Sequence, residues 1–335
     1  MAHTVILGSG VIGLSTAFYL RQHQPGTTIH LVDSAQELFS SASGYAGGFL
    51  AKDWFRPNLV PLAELSFEEH KKLAEDENGR ERWADPLLFC KFLLEKVKAA
   101  GVRIHNPAAA LRLETDINGK LSGVVIKNTE TSEETLIPAI KVLLAAGSWT
   151  PQVFNTLFKD RFSIDIPIGG LGGHSLVLKA PSKVTTCHSV YTTMDAHSPE
   201  IYSRPNGEIY VAGVNSPGLA VPEPALKAAT MSQPLEKLKD IARRLIVTPS
   251  GEDLEIVREG LCFRPVTVRG TPYIARLTDE KLAEDTSLKE GEEGGVFIAA
   301  GHGPWGISLS LGTGKVVAEM LSGKPLSVDI SSLGF

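Results

Sequence analysis

The chain is 335 residues long, 43% hydrophobic and 21% charged, an ordinary composition for a folded protein with room for two lobes. A net charge of −5 leaves no basic footprint for a nucleic acid. Three cysteines, Cys90, Cys187 and Cys262, are too scattered for a disulfide framework or a zinc site, which points to a reducing, cytoplasmic setting, and no segment reads as a membrane span.

Thr4 to Leu7 has the branching and length of a buried parallel strand, and Gly8, Gly10 and Gly13 follow it at once. Gly8 permits the sharp turn, Gly10 lets backbone approach a pyrophosphate, and Gly13 lets the next helix pack on the strand. That helix begins at Val11 and Ile12, whose amides and dipole end suit an anion. Pro25 and Gly26 stop it. Thr28 to Val32 then reads as a second strand ending in Asp33, 20 residues beyond Gly13 and next to Ser34. This strand, turn, helix and acid form a dinucleotide site, with FAD the expected ligand. A 2′-phosphate beside Asp33 would meet like charge, which argues against NADP. Residues 4 to 20 are uncharged, yet no basic stretch precedes them as in a signal sequence.

The loop Ser40 to Gly48 is made of small residues, and Ser41, Ala42, Ser43, Gly47 and Gly48, with Phe49 beyond, suit a second pass over the cofactor. Leu59 to Asp76 and Pro86 to Ala100 read as amphipathic helices, the second with Leu87, Leu88, Phe89, Phe92, Leu93 and Val97 inward. Strands follow at 102–104, 109–113 (with Ala110 a cofactor contact) and 121–126, the last two joined at Asn118-Gly119. Lys141 to Ala145 ends in Ala146-Gly147-Ser148-Trp149, small residues that suit a cofactor wall beside Trp149. From Ile166 to Val214 the pattern becomes short strands broken by Gly, Pro and Ser, implying a separate antiparallel sheet. Helix returns at about 233–245, extended chain at 254–263, a solvated loop at 278–293, a buried strand at 295–299 and a last helix at about 307–321. The fold class is α/β, or α+β overall: a Rossmann-type FAD-binding domain and a second, mostly antiparallel substrate domain.

Four stretches carry a family resemblance in chain order: the first βαβ unit, VLLAAGSWTP (142–151), LCFRPVTVRGTPYI (261–274) and VFIAAGHGPWGISLSLGTGKVVAEML (296–321). The set resembles the D-amino-acid oxidase and glycine oxidase superfamily, nearest to a eukaryotic branch with an AGGFLA-type loop, matched by Ala46 to Ala51. The resemblance implies a glutathione-reductase-like FAD domain made of 1–58, 84–165 and 290–335, and a substrate domain made of 59–83 and 166–289. It also implies oxidation of an amine or amino acid to the imine, with O2 reduced to H2O2. Relatives place a longer segment between the AGG loop and the helix near Pro86. Here only Phe49 to Asp85 is available, which predicts a reduced substrate lobe with an open pocket.

By the same resemblance Arg264, before Pro265, grips the substrate carboxylate, in two parallel hydrogen bonds; the competing reading is a surface Arg paired with an acid. Alternation puts Cys262 on the face of Arg264. Its position resembles the cysteine that tethers flavin in the sarcosine oxidase branch, though a buried, unreactive thiol and a non-covalent flavin are the expectation. The loop Gly301-His302-Gly303-Pro304-Trp305-Gly306-Ile307 resembles the one lying over the flavin, with Gly301, Gly303, Gly306 and Ile307 as contacts. His302 there either adds positive charge or is structural, and Trp305 stands where sarcosine oxidases carry Lys. His174, Tyr202 and Lys52 are further candidates for which packing or exposure competes. The functional reading is an FAD-dependent amine or amino-acid oxidase. The alternatives are an FAD dehydrogenase with another acceptor and a flavin-binding protein without turnover that serves interaction or trafficking. The expected partners are a small-molecule amine and oxygen, with neither nucleic acid nor membrane.

Overall fold

The computed structural model describes residues 3–76, 85–158, 165–223, 228–248, 251–278 and 294–335. Branched apolar runs at His3–Leu7 (β1), Thr28–Val32 (β2), Arg103–His105 (β3), Lys141–Leu144 (β7) and Gly295–Ala300 (β14) pair in parallel, and Tyr273–Leu277 (β13) closes one edge antiparallel, in the order β13-β14-β7-β1-β2-β3. Both faces are covered, as a parallel sheet requires. On one face Ile6, Leu31 and Leu143 meet the helices Val11–His23 (α1), Pro86–Ala99 (α4) and Ser310–Leu321 (α7). On the other, Val5, Leu7, Val142 and Leu144 meet helix Thr150–Phe158 (α5) and a three-stranded sheet of Ala108–Thr115 (β4), Leu121–Asn128 (β5) and Glu134–Pro138 (β6).

The second lobe is a five-stranded antiparallel sheet of Ile168–Lys179 (β8), Ser189–Tyr191 (β9), Glu200–Ser203 (β10), Glu208–Ser216 (β11) and Ile256–Thr267 (β12), in the order β12-β8-β11-β10-β9. Its strands present two faces, with register shifts at Ala212/Val214 and Ile256/Arg258. Leu176, Leu178 and Val211 pack under helix Ser232–Leu245 (α6) against Leu235, Leu238 and Ile241. Val177, Tyr202, Tyr210 and Ala212 point the other way, toward Phe49 and the nucleotide lobe.

Several boundaries differ from the sequence reading. The expected substrate-lobe helix, Val60–Asp76 (α3), packs instead on α7, and Leu62 and Ala63 enter the core of the parallel sheet, because its apolar face matches that surface. Leu88 is 41% exposed rather than inward. Strand β6 was not expected, since only Ile137 of its five residues is buried and no alternation shows. The last helix begins at Ser310 and not Ile307, because Gly303, Pro304 and Trp305 first form a 3-10 turn. Most of the charge-dense stretch 278–293, and residues 77–84 of the shortened segment, lie outside the described residues. Among the described residues, no helix is long and apolar enough to cross a membrane.

Candidate active site

A cavity of about 850 Å³ runs from the β1–α1 turn to the inner face of the antiparallel sheet, within the range of roughly 300–1,000 Å³ usual for ligand sites. At its first end Gly8 has φ +112°, and a Cβ there would fall 2.4 Å from the Ala145 carbonyl oxygen. Only glycine fits. Gly13 does not touch the cavity; a Cβ on it would lie 2.0 Å from the Gly8 carbonyl oxygen, so its role is the close helix packing the motif implies. The short helix Ala42–Tyr45 (α2) brings the small-residue loop onto α1, where the Val11 amide donates to Ser43 Oγ at 3.0 Å. Asp33 accepts from the Ser9 amide at 2.8 Å and the Ala35 amide at 3.0 Å. Burial pushes its carboxyl above the usual range, partly offset by those two amides.

The residues present fit a flavin dinucleotide. Ser41 Oγ is buried in the wall of this end with no hydrogen-bond partner among the described residues, which a phosphate oxygen would supply. Gly8, Gly10, Val11 and Ile12 line the turn, and Asp33 and Ser34 follow at the ribose position. Ala42, Gly47, Gly48, Phe49, Ala110, Ala146, Gly147 and Trp149 line the same continuous space.

At the middle of the cavity His302, Gly303, Trp305, Gly306 and Ile307 form one wall, while Gly301, with φ +88°, shapes the turn without lining it. Three separate groups fix that wall. His70 Nε2 donates to the Ile307 carbonyl at 3.0 Å, Ser308 Oγ donates to the Phe49 carbonyl at 2.9 Å, and the Ala51 amide donates back to Ser308 Oγ at 3.2 Å. His302 is 4% exposed and shares a 3.1 Å hydrogen bond with Thr313 Oγ1. Burial lowers its pKa to about 3, which favours the neutral ring and, of the two readings of this residue, the structural one. Trp305 stacks edge-on to Phe55 at 5.0 Å, between wall and solvent.

The far end belongs to the inner face of the antiparallel sheet. Arg264 lines it, and its Nη1 donates to Asn215 Oδ1 at 2.6 Å. Among the described residues no carboxylate lies within ion-pair distance of this guanidinium, unlike the paired surface Arg of the competing reading. Cys262 shares its face, and the register sets Cys262 opposite Gly173, which leaves the guanidinium open space. Burial pushes the Cys262 thiol up, against the smaller pull of Arg264 and Arg258. Tyr202 also lines this end, whereas His174 and Lys52 do not. His174 is fully buried, and its Nε2 accepts from the Met231 amide; Lys52 is exposed and pairs with Glu68.

Sequence reasoning missed Glu200, Tyr191, Asn215 and Trp54. Glu200, Tyr191 and Trp54 line the cavity, and Asn215 holds Arg264. It also missed Arg204, 1% exposed, which joins the two lobes. Its guanidinium pairs with Asp85 at 2.9 Å and Glu208 at 3.3 Å, and donates to the Ala46 and Gly47 carbonyls of the cofactor loop at 3.4 Å.

A family model described as FAD dependent oxidoreductase matches residues 3–82 and 78–320. The chain belongs to this DAO family. The two matched stretches meet within 78–82, inside the interval Phe49 to Asp85 that the sequence reading takes as shortened. A Schizosaccharomyces pombe protein named no more closely than as an oxidoreductase is 27% identical, over 98% of this chain and 96% of that protein. A D-amino acid dehydrogenase of Bradyrhizobium diazoefficiens is 28% identical over 83% of this chain, which spans only 56% of that relative. The crystal structure of glycine oxidase from Geobacillus kaustophilus superposes with a TM-score of 0.75 at 18% identity, covering 100% of this chain and 98% of that one, and shares the fold. This DAO-family chain is thus an FAD-dependent oxidoreductase.

Proposed function

We propose that the chain oxidises an amino acid or related amine to the imine, with molecular oxygen as acceptor and a non-covalently held flavin. The observation that carries this reading is Arg264, a guanidinium held by Asn215 and without an ion pair among the described residues, at the far end of a cavity whose other end has the dinucleotide geometry. Bound FAD supplies the hydride acceptor at N5. The protein's own contribution is orientation and exclusion of water. Asn215 fixes the guanidinium, the guanidinium fixes a carboxylate by two parallel hydrogen bonds, and the substrate α-carbon is held at one height above the 301–307 wall. The neutral His302 and the apolar Trp305 keep that wall dry. The high thiol pKa of Cys262 disfavours a covalent link, and acid precipitation that leaves yellow supernatant would agree.

The test is the visible spectrum of purified protein, then anaerobic bleaching by a panel of D-amino acids, N-methyl amino acids and cyclic imino acids. Bleaching by at least one, with Arg264→Ala raising its KM, is the expected result. Bleaching by none would favour a flavin-binding protein without turnover. A second reading, a dehydrogenase passing electrons elsewhere, is favoured by the names of several relatives, D-amino acid dehydrogenase. Reduction of an artificial dye without peroxide formation would decide for it.

A further inference from the structure

We infer that Glu200 is the amine-binding group of this cavity, so that the ligand is a zwitterion bridging Arg264 by its carboxylate and Glu200 by its ammonium. The inference rests on the reading of Arg264 given above and extends it to the other end of the substrate. Glu200 and Tyr202 lie two apart on β10 and share one face, the face that Tyr210 and Ala212 extend from the paired strand. That face is turned to the cavity, so a carboxylate that reads in sequence as a solvated strand residue is part of the cavity lining.

The hydrogen-bond directions are fixed by inventory. A carboxylate only accepts, and a phenol has a single proton. Tyr202 therefore donates to Glu200 Oε2 at 3.1 Å, and Tyr191 donates to the Tyr202 hydroxyl at 3.0 Å. The two phenols aim the carboxylate and use one of its acceptor sites. Its Oε1 has no partner among the described residues, and Glu200 forms no ion pair among them either. Two opposite charges thus share one cavity, each steadied by neutral groups, and among the described residues neither makes an ion pair. A ligand carrying both charges completes them; one carrying a carboxylate alone leaves Glu200 uncompensated next to low-dielectric walls. The rings of Phe49, Trp54 and Tyr191, with centroids 4.9–5.3 Å apart, stand on the same side and present π surface suited to an alkylammonium.

The experiment measures anaerobic binding, by isothermal titration to the flavin-loaded protein, of three isosteric pairs: glycine and propionate, sarcosine and butyrate, N,N-dimethylglycine and 3-methylbutyrate. In at least one pair the cationic member should bind about tenfold tighter or more, the worth of one charge-assisted hydrogen bond. Glu200→Gln, which keeps the acceptor for Tyr202, should bring that ratio to within about twofold. Glu200→Asp should restore part of it, a rescue that separates charge from folding. Arg264→Met should weaken both members alike. A wild-type protein that binds no pair, or shows no preference for the cation, overturns the inference, as does a Glu200→Gln variant that keeps the preference. If Arg264→Met weakens binding and Glu200→Gln changes nothing, only this inference fails. If Arg264→Met changes nothing, the carboxylate grip itself fails.

Discussion

The two ends of the cavity are built from different materials. The nucleotide end is mostly backbone: a turn that only glycine can make, amides at the start of α1, and a hydroxyl loop clamped onto them. The far end is mostly side chain, with Tyr191, Glu200, Tyr202, Asn215 and Arg264 contributed by four strands of one sheet face. Backbone sites need a short, contiguous stretch with fixed spacing. Side-chain sites need only that residues far apart in sequence share a face, so they tolerate graded change and leave no linear signature.

Arg204 is where the two ends meet, and removing it should have the largest effect. Arg204→Ala leaves Asp85 and Glu208 without their cation, and the buried Asp85 also caps α4 through the Leu87 and Leu88 amides. Stripping one partner from a buried pair costs about 3–5 kcal/mol, so the urea midpoint should fall sharply. The cofactor loop, released at Ala46 and Gly47, should lose flavin at the same time. Flavin retention with normal stability would mean that the ends are independent. Gly10→Val comes next. A side chain at this position first meets Ser43 Oγ, at 3.1 Å from Cβ, and projects where the pyrophosphate would rest. Overpacking of about 3 kcal/mol corresponds to about 100-fold weaker FAD binding, read by flavin fluorescence on dilution, with the apoprotein still folded.

The same division governs what was legible in sequence. Gly8, Gly10, Gly13 and Asp33 lie close together in the chain at fixed spacing, Gly8 needing a positive φ, Gly13 a close approach that no Cβ allows and Asp33 only its carboxylate, so strand, turn and helix could be read directly. At the far end Arg264 was reachable only through family resemblance. Glu200 was not, because Glu-Ile-Tyr-Ser alternates like any half-buried strand. Ile201 faces α6, and nothing local says that the opposite face looks into a cavity instead of solvent. The start of α7 was misread for a related reason. The apolar run after Gly303 has helical spacing, yet Pro304 and Gly306 tighten it into a 3-10 turn that holds the wall in place.

That wall supplies the next prediction. Burial holds His70 at a pKa of about 4 and His302 at about 3, whereas an unfolded histidine titrates near 6.5. Above pH 6.5 both states are neutral and nothing is lost. As pH falls below 6.5 the unfolded chain takes up protons that the folded one refuses, so stability declines toward pH 4. At pH 5 the loss is about 2 kcal/mol for each histidine. Urea titrations at pH 7 and 5 measure it, and His70→Gln, whose amide can still donate to the Ile307 carbonyl, should remove one histidine's share of the slope.

The smallest expected effect bears most directly on the far end. Tyr202→Phe keeps the ring stacked on Tyr210, with centroids 5.6 Å apart, and removes only the hydroxyl that links Tyr191 to Glu200. Tyr191 is 40% exposed, so water can take over at its hydroxyl, and the stability change should stay within about 1 kcal/mol, the net worth of one hydrogen bond. Glu200 keeps its charge but loses its aim, and the preference for a cationic ligand over its isostere should fall about fivefold instead of vanishing. FAD affinity should not move. A side-chain site can be detuned in this way one hydrogen bond at a time, whereas at Gly8 even a single added Cβ would fall 2.4 Å from the Ala145 carbonyl oxygen and leave no small step to take.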